Sequence, residues 1–529
     1  MTTPPVLRSY FIGEQSLLIQ CAELFLAKGH TVLGIISDTQ SLKTWAQGRG
    51  LRVLSPKQDL TTVLDEPFDY LFSITNFKIL SSNILGKASK GAINYHDGLL
   101  PGYGGRNVTA WSLLNGEREH GITWHRMTEA VDEGNILIQK RFSVAENETS
   151  LSLNAKCYEV ALASFEALLE TLANGQVTGQ VVNTPVTLYA KSKRPEATCI
   201  LELHQPAEGI NALVRGLEFG PYTNPLGLPK LYLGEETVIT TNAEILNGSS
   251  GTELGTVVAI SEDSITLTTA THDIKLGGLQ TLGGQTLSPS QLQTLFRVGQ
   301  TLPSLTTEQK IELTHLHESW SKHEDFWAAR LQRLEPLVLP FTKPSHSTET
   351  KIQHKPFDLP SAWVAQSLLG SPRNYLIAVH VLYLLRLTNL THFDVPYRSA
   401  VLNQRRQSME KLFASHVPLS VGADNRQSVS KFFETFDQQL TATEKRYSYL
   451  ADLPLRYPEL RDATLWQERW SVALEPEDSS VHADANLVFV IAENGQSHWR
   501  YDSSVLDETT IERMQDQVKT LFDSLANAT

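Results

Sequence analysis

Apolar residues in the first third of the chain form short continuous runs that alternate with segments of helical spacing. Runs of about four to eight apolar residues are typical of buried strands, and apolar residues three and four positions apart are typical of amphipathic helices. Strands that alternate with helices favour a doubly wound parallel sheet, so residues 1–180 are predicted to form an α/β domain. The strands are predicted at Leu7–Ile12, Thr31–Ser37 and Asp69–Ile74, and the helices at Glu14–Lys28 and at residues 151–174.

Residues 200–300 follow a different pattern. The stretches LYLGEETVITTNAEIL and GTVVAISEDSITLTTATHDIKLGG alternate Val, Ile and Thr with polar residues, and Gly or Asp interrupts them at short intervals. Short alternating strands with frequent turns are typical of a small β-barrel. This segment contains few Lys or Arg residues and no interleaved basic and aromatic residues, so a structural or docking role is favoured over nucleic-acid binding.

Residues 301–350 contain a long segment of helical spacing. Thr306 and Gln309 have the spacing of a capping box, which marks the start of a helix. The helical pattern ends at the prolines of LEPLVLPF, and a polar linker is predicted at Ser345–Lys355. The apolar side of the predicted helix comprises Leu313, Leu316, Trp320, Trp327 and Leu331.

Length and composition limit the class of protein. At 529 residues the chain is too long for one hydrophobic core, and about three domains are expected. Its hydrophobic content of 41% and charged content of 19% are those of a globular protein, and its net charge of -13 argues against a nucleic-acid surface. No apolar run approaches the roughly 18 residues of a transmembrane helix, and the N-terminus has no signal-peptide pattern. We therefore expect a soluble cytoplasmic protein that binds neither nucleic acid nor membranes.

Several kinds of ligand lack their motifs. The first strand is followed only by Gly13, and Gly86 and Lys87 are followed by alanine, so neither a dinucleotide loop nor a phosphate loop is present. NAD and ATP are therefore poor candidates for the first domain. The three cysteines, Cys21, Cys157 and Cys199, have no metal-ligand spacing and are predicted to be buried thiols in a reducing compartment, with no metal site.

Residues 91–139 contain the chain's best candidate chemistry. A short strand, Gly91–Asn94, ends in Asn94 and His96, which lie on the same side because side chains alternate along a strand. A loop rich in glycine follows at Pro101–Gly105, and a second strand leads to an acidic turn at Asp132. An amide or imidazole N–H can stabilise the oxyanion that develops when an amine attacks a carbonyl carbon, and a carboxylate can orient the imidazole or take up the amine's proton through water. The same residues also fit a purely structural role, since Asn and Asp beside Gly are ordinary turn residues.

The order of these motifs resembles the formyltransferase family that uses 10-formyltetrahydrofolate and includes methionyl-tRNA formyltransferase. The resemblance covers roughly the first 300 residues. It is carried by Asn94-x-His96, by the Leu-Leu-Pro sequence that precedes the loop, by Gly121-Ile-Thr123 and by Asp132-x-Gly134. It implies that Asn94, His96 and Asp132 are catalytic, that 10-formyltetrahydrofolate is the co-substrate, and that residues 200–300 form the family's OB-like C-terminal subdomain.

The resemblance also implies a binding site for the pterin ring of the folate. In similar enzymes two backbone segments hold this ring, one after a central strand and one in the turn before the catalytic Asp. A structural alternative is that Ile79 and Leu80 only pack under the sheet. The corresponding residues here are Lys78, Ile79 and Leu80, and Thr128, Glu129, Ala130 and Val131.

The glycine-rich loop is expected to select the acceptor. Family members often carry an Arg within this loop, whereas this chain reads Gly-Gly followed by Arg106 and Asn107, so a different acceptor is expected. An ordinary surface turn is the alternative. The strand residues Trp124 and His125 are predicted to be structural rather than catalytic.

The remaining sequence resembles parts of nonribosomal peptide synthetases. The sequence of residues 121–127 and 153–159 is similar to that of the formyltransferase domains of synthetase starter modules, such as that of linear gramicidin synthetase. FWAARLQRLEPLVLPF and residues 373–529 resemble the second half of a condensation domain, an α+β lobe of the chloramphenicol acetyltransferase type. Two adjacent histidines that mark the catalytic half are absent, because none of the 16 histidines neighbours another. Residues 301–529 are therefore predicted to be a partial condensation-like domain with its linker, catalytically silent.

Together these resemblances predict the N-terminal piece of a starter module. The expected reaction is transfer of formyl to the α-amine of an aminoacyl thioester on a downstream carrier domain that a downstream adenylation domain has loaded. One alternative is a stand-alone formyltransferase acting on a nucleotide-sugar amine or on aminoacyl-tRNA. Another is an inactive docking scaffold, against which the intact Asn94, His96 and Asp132 argue.

Overall fold

A seven-stranded mixed sheet organises the amino-terminal part of the protein. A computed structural model describes residues 5–175, 179–181, 184–342, 350–358, 371–398, 410–423, 427–461, 469–476 and 483–526. The sheet order is β3-β2-β1-β4-β5-β7-β8. Its strands are β1 Arg8–Ile12, β2 Thr31–Ile36, β3 Val53–Leu54, β4 Phe68–Ser73, β5 Ala88–His96, β7 Glu119–Arg126 and β8 Ile136–Ser143, and a short β6, Gly104–Gly105, pairs separately with β9, Leu188–Tyr189.

The prediction of a purely parallel sheet is wrong at one edge. Strands β1 to β5 are parallel, but β7 runs antiparallel to β5 and β8 antiparallel to β7. The turn between β7 and β8 is too short for a crossover helix, so the two strands can only form a hairpin. The strand that carries Asn94 is also longer than the predicted Gly91–Asn94, since β5 extends from Ala88 through His96.

Helices cover both faces of this sheet. The predicted helices at Glu14–Lys28 and 151–174 are confirmed as α1 and α6, which share one core with Phe11, Phe72 and Trp124. A second core on the opposite face includes Tyr10 and Leu80. The helices are α1 Ser16–Ala27, α2 Gln40–Gly48, α3 Leu60–Val63, α4 Ser82–Leu85, α5 Val108–Leu114 and α6 Ser150–Ala173.

Two small antiparallel sheets follow and share one apolar core. One has the order β10-β11-β16 and the other β12-β15-β14-β13, and Val257, Leu267 and Leu276 are fully buried between them and helix α7. The short alternating strands are confirmed, whereas the OB-like assignment stays a prediction. The elements are α7 Ala207–Gly216, β10 Lys230–Tyr232, β11 Thr237–Ile239, β12 Asn242–Ile245, β13 Val257–Ile260, β14 Ser264–Leu267, β15 Ile274–Gly277, β16 Gln280–Thr281 and α8 Pro289–Leu295.

The predicted long helix is two helices. The capping box at Thr306 and Gln309 is confirmed at the start of α9, Thr307–Trp320. A turn of 3-10 helix at Ser321–His323 then separates α9 from α10, Glu324–Gln332.

The carboxy-terminal part is an α+β lobe around a six-stranded mixed sheet of order β17-β22-β21-β20-β18-β19. The predicted linker at Ser345–Lys355 is wrong in its last residues, because Ile352 to Lys355 pair with β22 as an edge strand; residues 345–349 lie outside the described part. The condensation-like assignment stays a prediction. The strands are β17 Ile352–Pro356, β18 His392–Tyr397, β19 Val417–Gly422, β20 Trp470–Glu475, β21 Ala485–Ile491 and β22 Ser497–Asp502, and the helices are α11 Pro372–Thr388, α12 Val429–Glu444, α13 Leu453–Arg456, α14 Pro458–Arg461 and α15 Glu508–Ala526.

Buried charges join the lobe to the preceding domain. Lys230 Nζ lies 2.5 Å from Asp452 Oδ2, and Arg456 bonds to Asp452 Oδ1 at 2.8 Å and to Glu324 Oε1 at 2.6 Å. Arg194 lies 3.6 Å from Glu324, and all five side chains are buried. Burial raises the pKa of Asp452, but the charges of Lys230 and Arg456 outweigh it and hold the pKa well below its usual range. We call these five residues the interdomain charge cluster.

Burial confirms the prediction for the cysteines. All three cysteines are free thiols in buried positions, as predicted. Within the described residues, no helix has the length and apolar character needed to cross a membrane.

Candidate active site

Three neighbouring strands bring their polar residues together by register. Asn94 on β5 is paired with Ser73 at the end of β4 on one side and with His125 on β7 on the other. His96 follows two positions later and is paired with Thr123. The site therefore lies where the parallel strands end and β7 runs back antiparallel beside them.

The Asn94 amide is held on both of its atoms. Its Oδ1 accepts a hydrogen bond from Ser73 Oγ at 2.8 Å, and its Nδ2 lies 3.2 Å from His125 Nε2. The side chain remains half-buried. Its N–H groups therefore face the cluster, as an oxyanion donor must.

His96 is buried and tied to the glycine-rich loop. Its Nε2 donates to the carbonyl oxygen of Tyr103 at 2.5 Å, and its Nδ1 lies 3.7 Å from Asp132 Oδ2. The predicted orienting bond from Asp132 to His96 is thus not formed at hydrogen-bonding distance. Catalytic contacts often tighten only when substrate is bound, so proximity rather than bonding describes this pair.

Asp132 is the charged centre of the cluster. Its Oδ2 accepts from the Gly105 backbone N–H at 2.8 Å, and its Oδ1 lies 3.5 Å from His125 Nε2. Burial raises the pKa of Asp132, but the charge of His96, the contact with His125 and the Gly105 N–H together lower it to about 2. The residue is therefore a carboxylate at every pH at which the protein would work.

His125, which is predicted to be structural rather than catalytic, lies in this cluster, because its imidazole is close to both Asn94 and Asp132; its role stays a prediction. His125 Nδ1 lies 2.9 Å from the carbonyl oxygen of Arg126, so Nδ1 carries a hydrogen and Nε2 is the atom that faces the site. A neutral ring accepts from Asn94, and a protonated ring faces the carboxylate. Its strand position opposite Asn94 is the signal that could have identified it, but that pairing is invisible before the register is known.

The loop that follows β5 is fixed by backbone contacts. The Gly105 φ angle is 95°, and a Cβ there would lie 2.2 Å from the carbonyl oxygen of Tyr189, so only glycine fits. The Arg106 backbone N–H donates to the same Tyr189 oxygen at 2.9 Å. The Arg106 guanidinium then reaches across to the carbonyl oxygen of Phe77 and lies 4.7 Å from its ring. The loop is thus joined to Asp132 on one side and to the residues after β4 on the other.

The two segments expected to hold the pterin lie on either side of this cluster. Ile79 is 78% exposed and Val131 is 40% exposed, although both are aliphatic. The alternative that Ile79 packs under the sheet is therefore wrong, whereas Leu80 is buried in the second core. Lys78, Thr128, Glu129 and Ala130 are exposed, and their role in folate binding stays a prediction.

Among the described residues, no group of three His, Cys, Asp or Glu side chains could hold a metal ion. The cluster places hydrogen-bond donors around one fixed negative charge, that of Asp132. Such an arrangement can stabilise an oxyanion and accept a proton, which are the two requirements of acyl transfer to an amine.

Several solved structures are similar to this chain at low sequence identity. Solved structures of similar fold include a sugar 3N-formyl transferase, WlaRD, in the presence of dTDP and 5-N-formyl-THF (17% identity; 52% of this chain and 98% of that chain; TM-score 0.41). Others are an N-formyltransferase from Helicobacter canadensis in complex with folinic acid and dTDP-3-aminofucose (16%; 51% and 99%; 0.42) and HypX from Aquifex aeolicus in complex with tetrahydrofolic acid (16%; 52% and 44%; 0.38).

Two family models match the chain in sequence order. Residues 57–170, which contain Asn94, His96 and Asp132, match the formyl transferase model, and residues 194–296 match the model of the formyl transferase C-terminal domain. The chain therefore carries a formyltransferase catalytic domain and its C-terminal domain, and it is an enzyme that transfers a formyl group from 10-formyltetrahydrofolate.

Proposed function

We propose that this enzyme formylates the α-amine of an aminoacyl group that is held as a thioester on a carrier domain. The observation that carries the formyl-transfer site is the convergence of Asn94, His96 and Asp132 at the end of β5 beside a glycine-rich loop. The resemblance of the segments around residues 121–127 and 373–529 to peptide synthetase starter modules supports the aminoacyl acceptor.

The proposed chemistry needs one oxyanion site and one proton acceptor. The amine attacks the formyl carbon, the carbonyl oxygen becomes negative, and the bond from the formyl carbon to the folate nitrogen then breaks. Asn94 Nδ2 and His96 Nε2–H are the proposed oxyanion donors, and in this role the His96 N–H would exchange the Tyr103 carbonyl oxygen for the formyl oxygen. Because Asp132 has a pKa of about 2, it is a weak base. Its proposed role is to stabilise the positive charge that develops on the amine, while the amine's proton passes through water to the departing folate nitrogen.

The folate co-substrate fits the surface beside this cluster. A pterin ring is flat and largely apolar on its faces, and Ile79 and Val131 offer exposed aliphatic groups on the two segments that the resemblance assigns to it. The charged residues of these segments, Lys78 and Glu129, are exposed, so neither segment brings a buried charge against the ring. We therefore assign the donor side of the site to residues 78–80 and 128–131.

Helix α10, whose Trp327 and Leu331 pack in the core of the lobe, contacts the segment beside the proposed acceptor loop. Asp325, at the start of α10, forms an ion pair with Lys191 at 2.7 Å, two residues beyond β9, the strand that pairs with the glycine-rich loop. The carboxylates of Asp325 and Glu14 also favour the charged form of Arg106, although burial, the larger effect, lowers the pKa of that guanidinium. A carrier domain that approaches the loop would therefore meet the lobe, which is the proposed platform for it.

The test is intact-mass analysis of an aminoacyl-loaded carrier domain after incubation with the enzyme and 10-formyltetrahydrofolate. One added formyl group is expected. Removing an oxyanion donor typically costs about 100- to 1000-fold in rate, so Asn94→Ala should be folded and nearly inactive. His96→Ala and Asp132→Asn should also lose turnover.

Matched controls lie outside the cluster. Asn154→Ala on α6 and His315→Ala on the exposed side of α9 remove the same side chains and should leave turnover unchanged. Full turnover by His96→Ala and Asp132→Asn would refute the site. Formylation of a free sugar amine, with none on the carrier, would refute the acceptor while leaving the formyl-transfer site intact.

A further inference from the structure

Ser73 lies beside Asn94 and is not used in the chemistry above. It is the last residue of β4, and its side chain is fully buried. Its hydroxyl donates to Asn94 Oδ1 at 2.8 Å and accepts from Asn76 Nδ2 at 3.3 Å. A serine hydroxyl has one hydrogen to donate. The hydrogen from Asn76 occupies the acceptor side, so the serine hydrogen points at Asn94.

This geometry fixes which end of the Asn94 amide faces the site. If the amide were reversed, the Ser73 hydrogen would meet an N–H group and lose its acceptor in the buried position. A buried donor without an acceptor is costly, so the reversed amide is disfavoured. The orientation that remains presents Nδ2 to His125 and to the position of the developing oxyanion.

The hydrogen-bond chain continues into the donor side of the site. The Asn76 side chain accepts from the backbone N–H of Lys78 at 3.1 Å and donates to the Lys78 carbonyl oxygen at 3.0 Å. The preceding residue, Thr75, has a φ angle of 53°, so this turn is held in a conformation that residues with a Cβ adopt rarely. The turn at Lys78 is therefore connected to the Asn94 amide through two side chains.

We propose that Ser73 is a positioning residue for formyl transfer, which orients the Asn94 amide toward the formyl oxygen, and that Asn76 fixes Ser73 from the loop expected to hold the pterin. This inference rests on the proposed role of Asn94 as an oxyanion donor. Ser73 does not contact substrate in this proposal and acts only through Asn94.

The first measurement is steady-state turnover of Ser73→Ala. Hydrogen-bond partners that orient metal ligands typically contribute about 10- to 100-fold, and we expect Ser73→Ala to lower kcat by a similar factor while KM for both substrates changes little. Ser9→Ala is the matched control. Ser9 is a fully buried serine on β1 of the same sheet, and its hydroxyl has no hydrogen-bond partner within the described residues. Its removal should leave kcat unchanged.

A double-mutant cycle separates positioning from a general structural role. If Ser73 acts through Asn94, then Ser73→Ala should cost nothing further in the Asn94→Ala background. If Ser73→Ala folds poorly, Asn76→Ala can replace it in the cycle, because Asn76 is only half-buried. Its effect on kcat should also vanish in the Asn94→Ala background.

Two results would overturn the inference. One is a wild-type kcat in Ser73→Ala. The other is that Ser73→Ala lowers kcat by the same factor in the wild-type and Asn94→Ala backgrounds. In either case a loss of activity in Asn94→Ala alone would leave the proposed catalytic site standing. Full activity in Asn94→Ala would instead refute that site and the positioning role together.

Discussion

Asp452→Asn should disrupt the junction between the formyltransferase domains and the lobe. Asp452, Lys230 and Arg456 are completely buried, and Glu324 is 3% exposed. The native interdomain charge cluster contains three cations and two carboxylates. Without the Asp452 charge, Lys230 keeps the carbonyl oxygens of Thr198 and Leu228 as hydrogen-bond acceptors but loses its ion pair. The cluster then holds two uncompensated positive charges instead of one.

The cost can be scaled from buried ion pairs. Removing one partner of such a pair typically destabilises a protein by about 3–5 kcal/mol, because the other charge stays buried. This is a large share of the roughly 5–15 kcal/mol by which a domain is stable. Asp325→Asn is the matched control next to Glu324. The Asp325 side chain is 71% exposed, and its pair with Lys191 should be worth less than about 1 kcal/mol.

The assay is a urea titration followed by tryptophan fluorescence, with Trp320 packed against Phe413 and Tyr447 where the two parts meet. Asp452→Asn should lower the midpoint strongly and Asp325→Asn hardly at all. The double variant Lys230→Met with Asp452→Asn restores a single excess positive charge, so it should recover part of the loss. Equal midpoints for Asp452→Asn and Asp325→Asn would refute the view that this cluster holds the lobe in place.

Two further predictions concern single residues. His380 is fully buried, its Nε2 accepts from Trp499 Nε1 at 3.3 Å, and burial lowers its pKa to about 4. The unfolded chain binds a proton near pH 6.5 and the folded lobe does not, so stability should fall by about 3 kcal/mol as pH drops from about 6.5 to 4. Urea midpoints at several pH values should show less of this fall in His380→Gln than in a variant of the exposed His354, and equal falls would contradict the assignment. Arg106→Met should raise the KM for the formyl donor about 10-fold with a smaller change in kcat, because a charged hydrogen bond to the Phe77 loop is lost. Arg118→Met, which alters another arginine, one that is exposed, should change neither constant, and an unchanged donor KM in Arg106→Met would show that the contact does not shape the donor side.

The sequence predicted the helices and strands whose positions depend on residues close together in the chain. The helices α1, α6 and α9 and the strands β1, β2 and β4 lie within a few residues of their expected positions, because apolar spacing and capping residues act over a few neighbours. The direction of β7 was not predictable in this way. It depends on which strand β7 meets, and a run of apolar residues looks the same in a parallel and an antiparallel pair.

The site likewise contains residues that local sequence identified and residues that only strand pairing reveals. Asn94 and His96 were identified from their place at a strand end, and the structure brings them beside Asp132. Ser73 and His125 were missed as site residues because only register places them next to Asn94. Within their own segments they look like an ordinary strand serine and an ordinary strand histidine.

The lobe shows why charge is harder to interpret from sequence than apolar spacing. Lys230 and Arg456 are residue types that are almost always exposed, yet they lie buried where three segments distant in the sequence meet. Arg456 forms an ion pair with Glu324, and the next residue, Asp325, forms an exposed ion pair with Lys191. Lys191 follows β9, the strand that pairs with the glycine-rich loop. A residue beside the buried Glu324 thus contacts the segment that supports this loop. Because a rigid junction transmits a shift more faithfully than a flexible linker, the position of the lobe and the shape of the glycine-rich loop are expected to change together.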